Sequence, residues 1–126
     1  MNRILKFRVW DKINKCWYEP IFEAHKGRLK ELTITLSGDL DMRTMEGTMH
    51  SSMFPDQYEL MQFTGLHDKN GKSIFEGDIV KDDTLIMRIE YINSSFCKCN
   101  DKGNWIIHSH DCLEIIGNIF ENPELL

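Results

Sequence analysis

A chain of 126 residues that is 41% hydrophobic and 28% charged, with 3 prolines, has an ordinary globular balance, which excludes disorder along its length. At this size roughly 65–70% of the unfolded chain's surface can be buried, so one core needs no metal or disulfide to hold it. The net charge is −5, and no run of the 15 basic residues could follow a phosphate backbone, which weighs against non-specific nucleic-acid binding.

Arg3, Lys6 and Arg8 could still form a local basic face on one strand, which leaves nucleic acid as an alternative partner. No apolar h-region follows the basic N-terminal residues, and no window approaches the ~18 apolar residues of a membrane span. The expected location is the cytoplasm, with no membrane partner. Cys16, Cys97, Cys99 and Cys112 are accordingly expected as free thiols.

In chain order, Leu5, Phe7 and Val9 alternate with Lys6 and Arg8, the period-two pattern of a strand with one wet face. Asp11 to Lys15 supply turn chemistry before the β-favouring Cys16-Trp17-Tyr18, so the opening reads as a β-hairpin. Lys26-Gly27 marks a turn, after which Leu32, Ile34 and Leu36 alternate with Thr33 and Thr35 as another half-buried strand. Between residues 39 and 54, Met42, Met45, Met49 and Met53 recur at helical spacing and predict a helix, although Gly47 and the Thr and Ser residues oppose it. Such a stripe is usually core-facing, and otherwise an adaptable binding surface.

The second half is denser in signals. Residues 60–64 read as a strand, Asp68-Lys69-Asn70-Gly71 as a tight turn, Ser73-Ile74-Phe75 as its return and Glu76-Gly77-Asp78 as a second turn. Short strands then follow around Ile79-Val80, Leu85 to Tyr91, Phe96-Cys97, Trp105 to Ile107 and Glu114 to Ile119, which is how a small SH3-like barrel looks in sequence. Asn122, Pro123 and Glu124 could cap and open a short terminal helix. The expected fold is mainly β, with α+β as the alternative: one domain over residues 1–126, in which an N-terminal β-hairpin subregion (1–59) precedes a barrel-like subregion (60–126).

Three blocks carry a family resemblance. They are Lys6-Phe7-Arg8-Val9-Trp10-Asp11; Leu60 through Gly65-Leu66, Asp68-Lys69-Asn70-Gly71-Lys72 and Phe75-Glu76-Gly77-Asp78-Ile79-Val80; and Ile116-Gly117-Asn118-Ile119-Phe120-Glu121-Asn122-Pro123-Glu124-Leu125-Leu126. In length and order they resemble the YopX family of small phage and prophage proteins. The resemblance implies phage or prophage origin, action inside the bacterial host, a β-rich fold and a homo-oligomer. It implies no activity, cofactor or site residue. Read physically, the glycines of these blocks suit turns, and Phe63, Phe75, Ile79 and Ile119 suit packing.

The sharpest chemical candidate is a metal site from Cys97, Cys99, His108, His110 and Cys112, soft and borderline ligands that suit zinc. A five-residue loop over residues 100–104 would set Cys99 opposite Trp105 and Cys97 opposite Ile107, leaving the histidines on the other face, whereas a one-residue slip would put His108 with the cysteines. The competing reading is small hydrophobic cysteines in a core strand beside surface histidines. Glu76, Asp78, Asp82 and Asp83 lack the pattern of a calcium loop and read as a solvated turn. Ser51, Ser52 or Cys112 as a nucleophile would need a base and an oxyanion pocket, and no catalytic motif or phosphate-binding glycine loop occurs.

Trp10, Trp17, Tyr18 and Trp105 are candidate anchors for a protein partner, shared between core and surface. The sequence therefore favours a non-enzymatic module without a cofactor, binding a host or phage protein. A nucleic-acid-binding small barrel is the first alternative, and a zinc-binding domain or metal-dependent enzyme the second.

Overall fold

The computed structural model describes residues 3–108 and 111–126. Short runs of alternating apolar residues, broken by Gly, Asn and Asp at close intervals, leave no stretch for a long helix, and the described residues are almost all strand and turn. The strands are β1 (Phe7–Asp11), β2 (Cys16–Trp17), β3 (Ile21–Glu23), β4 (Arg28–Ile34), β5 (Leu40–Thr44), β6 (Gly47–His50) and β7 (Tyr58–His67). They continue as β8 (Ser73–Phe75), β9 (Asp78–Asp82), β10 (Leu85–Ile92), β11 (Ser95–Asn100), β12 (Gly103–Ile106) and β13 (Glu114–Asn118). Single 3-10 turns occupy Ala24–Lys26, Ser51–Met53 and Pro123–Leu125. The fold is mainly β, as the alternation predicts.

The chain forms two compact units, one from Val9–Glu59 and one from the segment up to Arg8 together with Leu60–Leu126. It passes from one to the other within β1 and within β7.

In the Val9–Glu59 unit, the buried Asp11 carboxylate builds the first turn by accepting the Ile13 and Asn14 N–H groups, both at 3.0 Å, and the Asn14 amide at 2.8 Å. That turn sets Trp10 opposite Trp17, with the rings edge-on at 5.0 Å. An antiparallel sheet of order β3-β4-β5-β6 follows. Gly27, left-handed at φ 76°, closes the 3-10 turn before β4, where the Lys26-Gly27 turn is expected.

The helix predicted over residues 39–54 is not formed: β5 and β6 make a hairpin there, followed by the 3-10 turn. Met42 pairs directly with Met49 across the hairpin, and Met45 sits at its tip. Gly47 at φ 126° adopts a backbone that L residues rarely take, and Leu40, Met42 and Thr44 keep the two-residue alternation of a strand.

In the other unit, β9 to β13 form a curled half-barrel sheet of order β12-β11-β10-β9-β13. Its core is Ile74, Val80, Met87, Ile89, Ile107 and Leu113. The three sequence blocks meet around it. Arg8 donates to the Asp78 carboxylate (2.8 Å) and to the Glu76 carbonyl (3.1 Å), and Asp78 also accepts the Phe75 N–H at 2.8 Å. Asp68 accepts N–H groups from Asn70 and Lys72 in its own turn, both at 2.9 Å, and from Ile115 of β13 at 3.0 Å. Gly77, at φ 83°, donates to the Ile89 carbonyl and accepts from Ile119, both at 2.8 Å. Asn118 is buried and accepts the Phe120 and Glu121 N–H groups. At the tail, Asn122 precedes the last 3-10 turn but its side chain does not cap it; its Oδ1 accepts the Asn118 N–H at 3.2 Å instead.

Candidate functional site

One face of the β3-β4-β5-β6 sheet is built to stay apolar without being covered by its own unit. Antiparallel pairing puts Ile21 opposite Lys30, Lys30 opposite Thr44 and Met42 opposite Met49, so these residues share a face. Phe54, Gln57 and Tyr58, from the segment after β6, wall the same space, and Met45 and Glu46 of the hairpin tip close one end. The result is a groove of about 400 Å³. Met42 forms its floor at 5% exposure, whereas Met45 and Met49 stand 48% and 37% exposed.

An aromatic cluster stiffens one wall. Tyr58 meets Phe54 edge-on at 5.7 Å and Tyr18 at 6.5 Å. The Tyr18 hydroxyl accepts the Leu32 N–H at 2.7 Å, satisfying the backbone of β4 just beyond the end of β3. Burial pushes the Tyr58 hydroxyl's pKa up, with the Asp11 carboxylate adding to it, so the ring carries a neutral O–H at neutral pH. The Lys30 ammonium lies 5.8 Å and 5.9 Å from the Tyr18 and Tyr58 ring centres. Aromatic rings, unbranched methionines and one lysine head thus meet on one surface.

The residues singled out in the sequence are dispersed. Cys97 and Cys99 are buried in β11, and Cys112 is exposed. Burial pushes the Cys99 thiol up to about 11, with Glu90 adding to it, so it is a protonated, inert core side chain at neutral pH. The loop assumed over residues 100–104 is shorter: Asn100 accepts the Lys102 N–H at 2.8 Å and Gly103 pairs with Asn100, so only Asp101 and Lys102 turn. Cys97 therefore opposes Ile106, and Cys99 opposes Asn104. His108 donates its backbone N–H to Asp111 at 3.0 Å. His110 lies outside the described residues. Among the described residues no three His, Cys, Asp or Glu side chains gather to hold a metal ion.

Of the four aromatic candidates, Trp10 is buried against Trp17, and Tyr18 lies beside the groove, held by its bond to Leu32. Trp105, 45% exposed, lines a smaller cleft of about 230 Å³ with Asp82, Leu85, Met87 and Lys98. Lys98 bridges Asp82 and Asp111, each at 3.0 Å. Burial disfavours its charge, but the two carboxylates outweigh burial and hold its pKa above the usual lysine range. Of the acidic cluster, Glu76 accepts the Gln62 N–H, Asp78 takes Arg8 and Asp82 takes Lys98.

Sequence reading missed His50 and Asp39 as companions of Ser52. His50 Nδ1 lies 3.1 Å from Ser52 Oγ, and His50 Nε2 lies 3.5 Å from Asp39. The same Nδ1 accepts the Ser52 backbone N–H at 3.2 Å, which is how His50 caps the 3-10 turn. Alternation along β6 places His50 on the opposite sheet face from Met49, so this trio is turned away from the groove. The signal that points to the groove's methionines, their recurrence at spacings of three and four, is present in the sequence but reads there as a helix. Ile21, Lys30 and Tyr58 carry no local signal, since only the fold joins them.

The family model described as "YopX protein" matches residues 6–126. Among solved structures, the chain is similar to protein EF1440 from Enterococcus faecalis, with 29% identity, 99% of each chain covered and a TM-score of 0.62. It is also similar to YopX from Bacillus subtilis in fold, with 21% identity, 95% of this chain and 96% of that one covered, and a TM-score of 0.59. No curated protein matches it. The family match spans all three blocks that meet around the half-barrel and runs on through the groove-bearing unit: this chain belongs to the YopX family.

Proposed function

We propose that this chain is a non-enzymatic phage or prophage accessory module that acts in the bacterial cytoplasm by holding a protein partner in the groove of Met42, Met45 and Met49. The observation that carries this reading is an apolar cavity of about 400 Å³ walled by two exposed methionines and a fixed aromatic cluster. Such a surface repacks around an apolar segment at low cost, because unbranched thioether side chains change rotamer readily. The nucleic-acid reading is weaker, since two of the three basic residues it relied on are engaged. Lys6 donates to Ser73 at 2.8 Å and lies over Phe63, and Arg8 is paired with Asp78.

The test is affinity capture from the bacterial host with the full chain beside Met49→Lys, which places a charge in the groove at an exposed position. A stoichiometric protein retained by the parent chain and lost by the variant is the expected result; capture indifferent to Met49 contradicts it. Hydrolysis of a p-nitrophenyl ester should proceed equally with Ser52→Ala. A rate that depends on Ser52 would instead make the module an enzyme.

A further inference from the structure

The groove also carries a charge signature. Its lining includes Arg28, Lys30 and Glu46. Arg28 is answered by Glu23 at 2.7 Å, and Glu46 accepts the Thr44 hydroxyl at 3.0 Å. Lys30 is half-buried, and among the described residues no carboxylate pairs with it; its ammonium rests over the two tyrosine faces. A ring face attracts an ammonium but leaves its N–H donors unsatisfied. The neighbouring Glu31 does not serve it, because Glu31 is on the opposite sheet face, paired with Arg43 at 2.9 Å.

Resting on the protein-binding reading above, we infer that the groove takes a short apolar segment of a partner protein that carries an acidic residue, whose carboxylate pairs with Lys30 while its apolar side chains lie on Met42, Met45 and Met49. Charge complementarity decides this choice over a basic segment, which would meet Arg28 and Lys30 together and find only Glu46 on the groove's lining. A carboxylate reaching Lys30 is partly shielded by the tyrosine rings, so the pair forms in a medium where it is stronger than on an open surface.

Selection from a displayed library of random twelve-residue peptides tests this, with binders retained by the parent chain and counter-selected against Met49→Lys. The expected winners combine apolar residues with Asp or Glu. Synthetic copies should bind about tenfold more weakly to Lys30→Gln than to the parent chain, recover with Lys30→Arg, and weaken as salt rises. Met49-dependent peptides without acidic enrichment, or with affinity indifferent to Lys30→Gln, would overturn the inference and leave the groove as a binding site. A selection yielding no Met49-dependent peptide would overturn both. Lys30→Gln shortens a half-buried side chain, and an unaltered circular-dichroism melt separates lost binding from lost fold.

Discussion

The two units use polar side chains in opposite ways. Around the half-barrel, Asp68, Asp78 and Asn118 are buried and spend their oxygens on backbone N–H groups and on Arg8, tying together turns that are far apart in sequence. In the Val9–Glu59 unit, Asp11 alone plays that part among the described residues, and the sheet beyond it leaves Ile21, Phe22, Ile34 and Met49 exposed. Buried carboxylates and an amide answered by backbone N–H groups organise one unit; in the other, exposed methionines gather around one groove.

The sharpest way to break this contrast is Asp78→Ala, which removes the carboxylate partner of the half-buried Arg8 and orphans the Phe75 N–H. Urea denaturation should show a loss of about 3 kcal/mol. Asp68→Ala, which abandons the Asn70, Lys72 and Ile115 N–H groups, should cost about 2–3 kcal/mol in the same assay.

Asp68 also sets a pH dependence. Burial alone would raise its pKa, yet the N–H groups of Ile115, Lys72 and Asn70 together hold it below the usual aspartate value. A depressed folded-state value means the stabilisation is complete above about pH 4 and lost as pH falls through that lower value. Asp11, held low against burial by Asn14 and Ile13, behaves alike. Asp78 opposes them: burial outweighs Arg8 and raises its pKa, so it favours the folded state less as pH rises through its titration. Asp68→Asn should therefore flatten the acid limb of a stability-against-pH curve.

Gly77→Ala is expected to cost about 1–2 kcal/mol, because φ is +83° and the new Cβ would sit 2.9 Å from Met61 Sδ. Smallest of all, Met49→Lys should change stability by no more than about 0.5 kcal/mol while abolishing partner capture. A large loss of stability there would mean the groove is core.

How much of this the sequence carried follows from how local each signal is. Leu5, Phe7 and Val9, or Met87 and Ile89, announce strands because alternation is a property of neighbours. The Asn70-Gly71 and Glu76-Gly77 turns are equally local. The methionine spacing was ambiguous in a specific way: residues seven apart share a helical face, but they also oppose each other when a hairpin turns midway between them, as Met42 and Met49 do. Gly47 and the alternation of Leu40, Met42 and Thr44 were the deciding clues. Cysteine register failed by one residue because a two-residue turn replaced a five-residue loop, and with period-two alternation one residue changes the face. The groove itself was illegible, since Ile21, Lys30, Met42 and Tyr58 meet only once three strands and the start of β7 have assembled.

The most direct test of the central contrast uses the methionines of both units as reporters in one spectrum. With methyl-labelled methionine, titration with the captured partner should shift the Met42, Met45 and Met49 signals and leave those of the buried Met61 and Met87 in place. Shifts at Met61 or Met87, with Met45 and Met49 unmoved, would contradict the assignment of the groove as the binding surface.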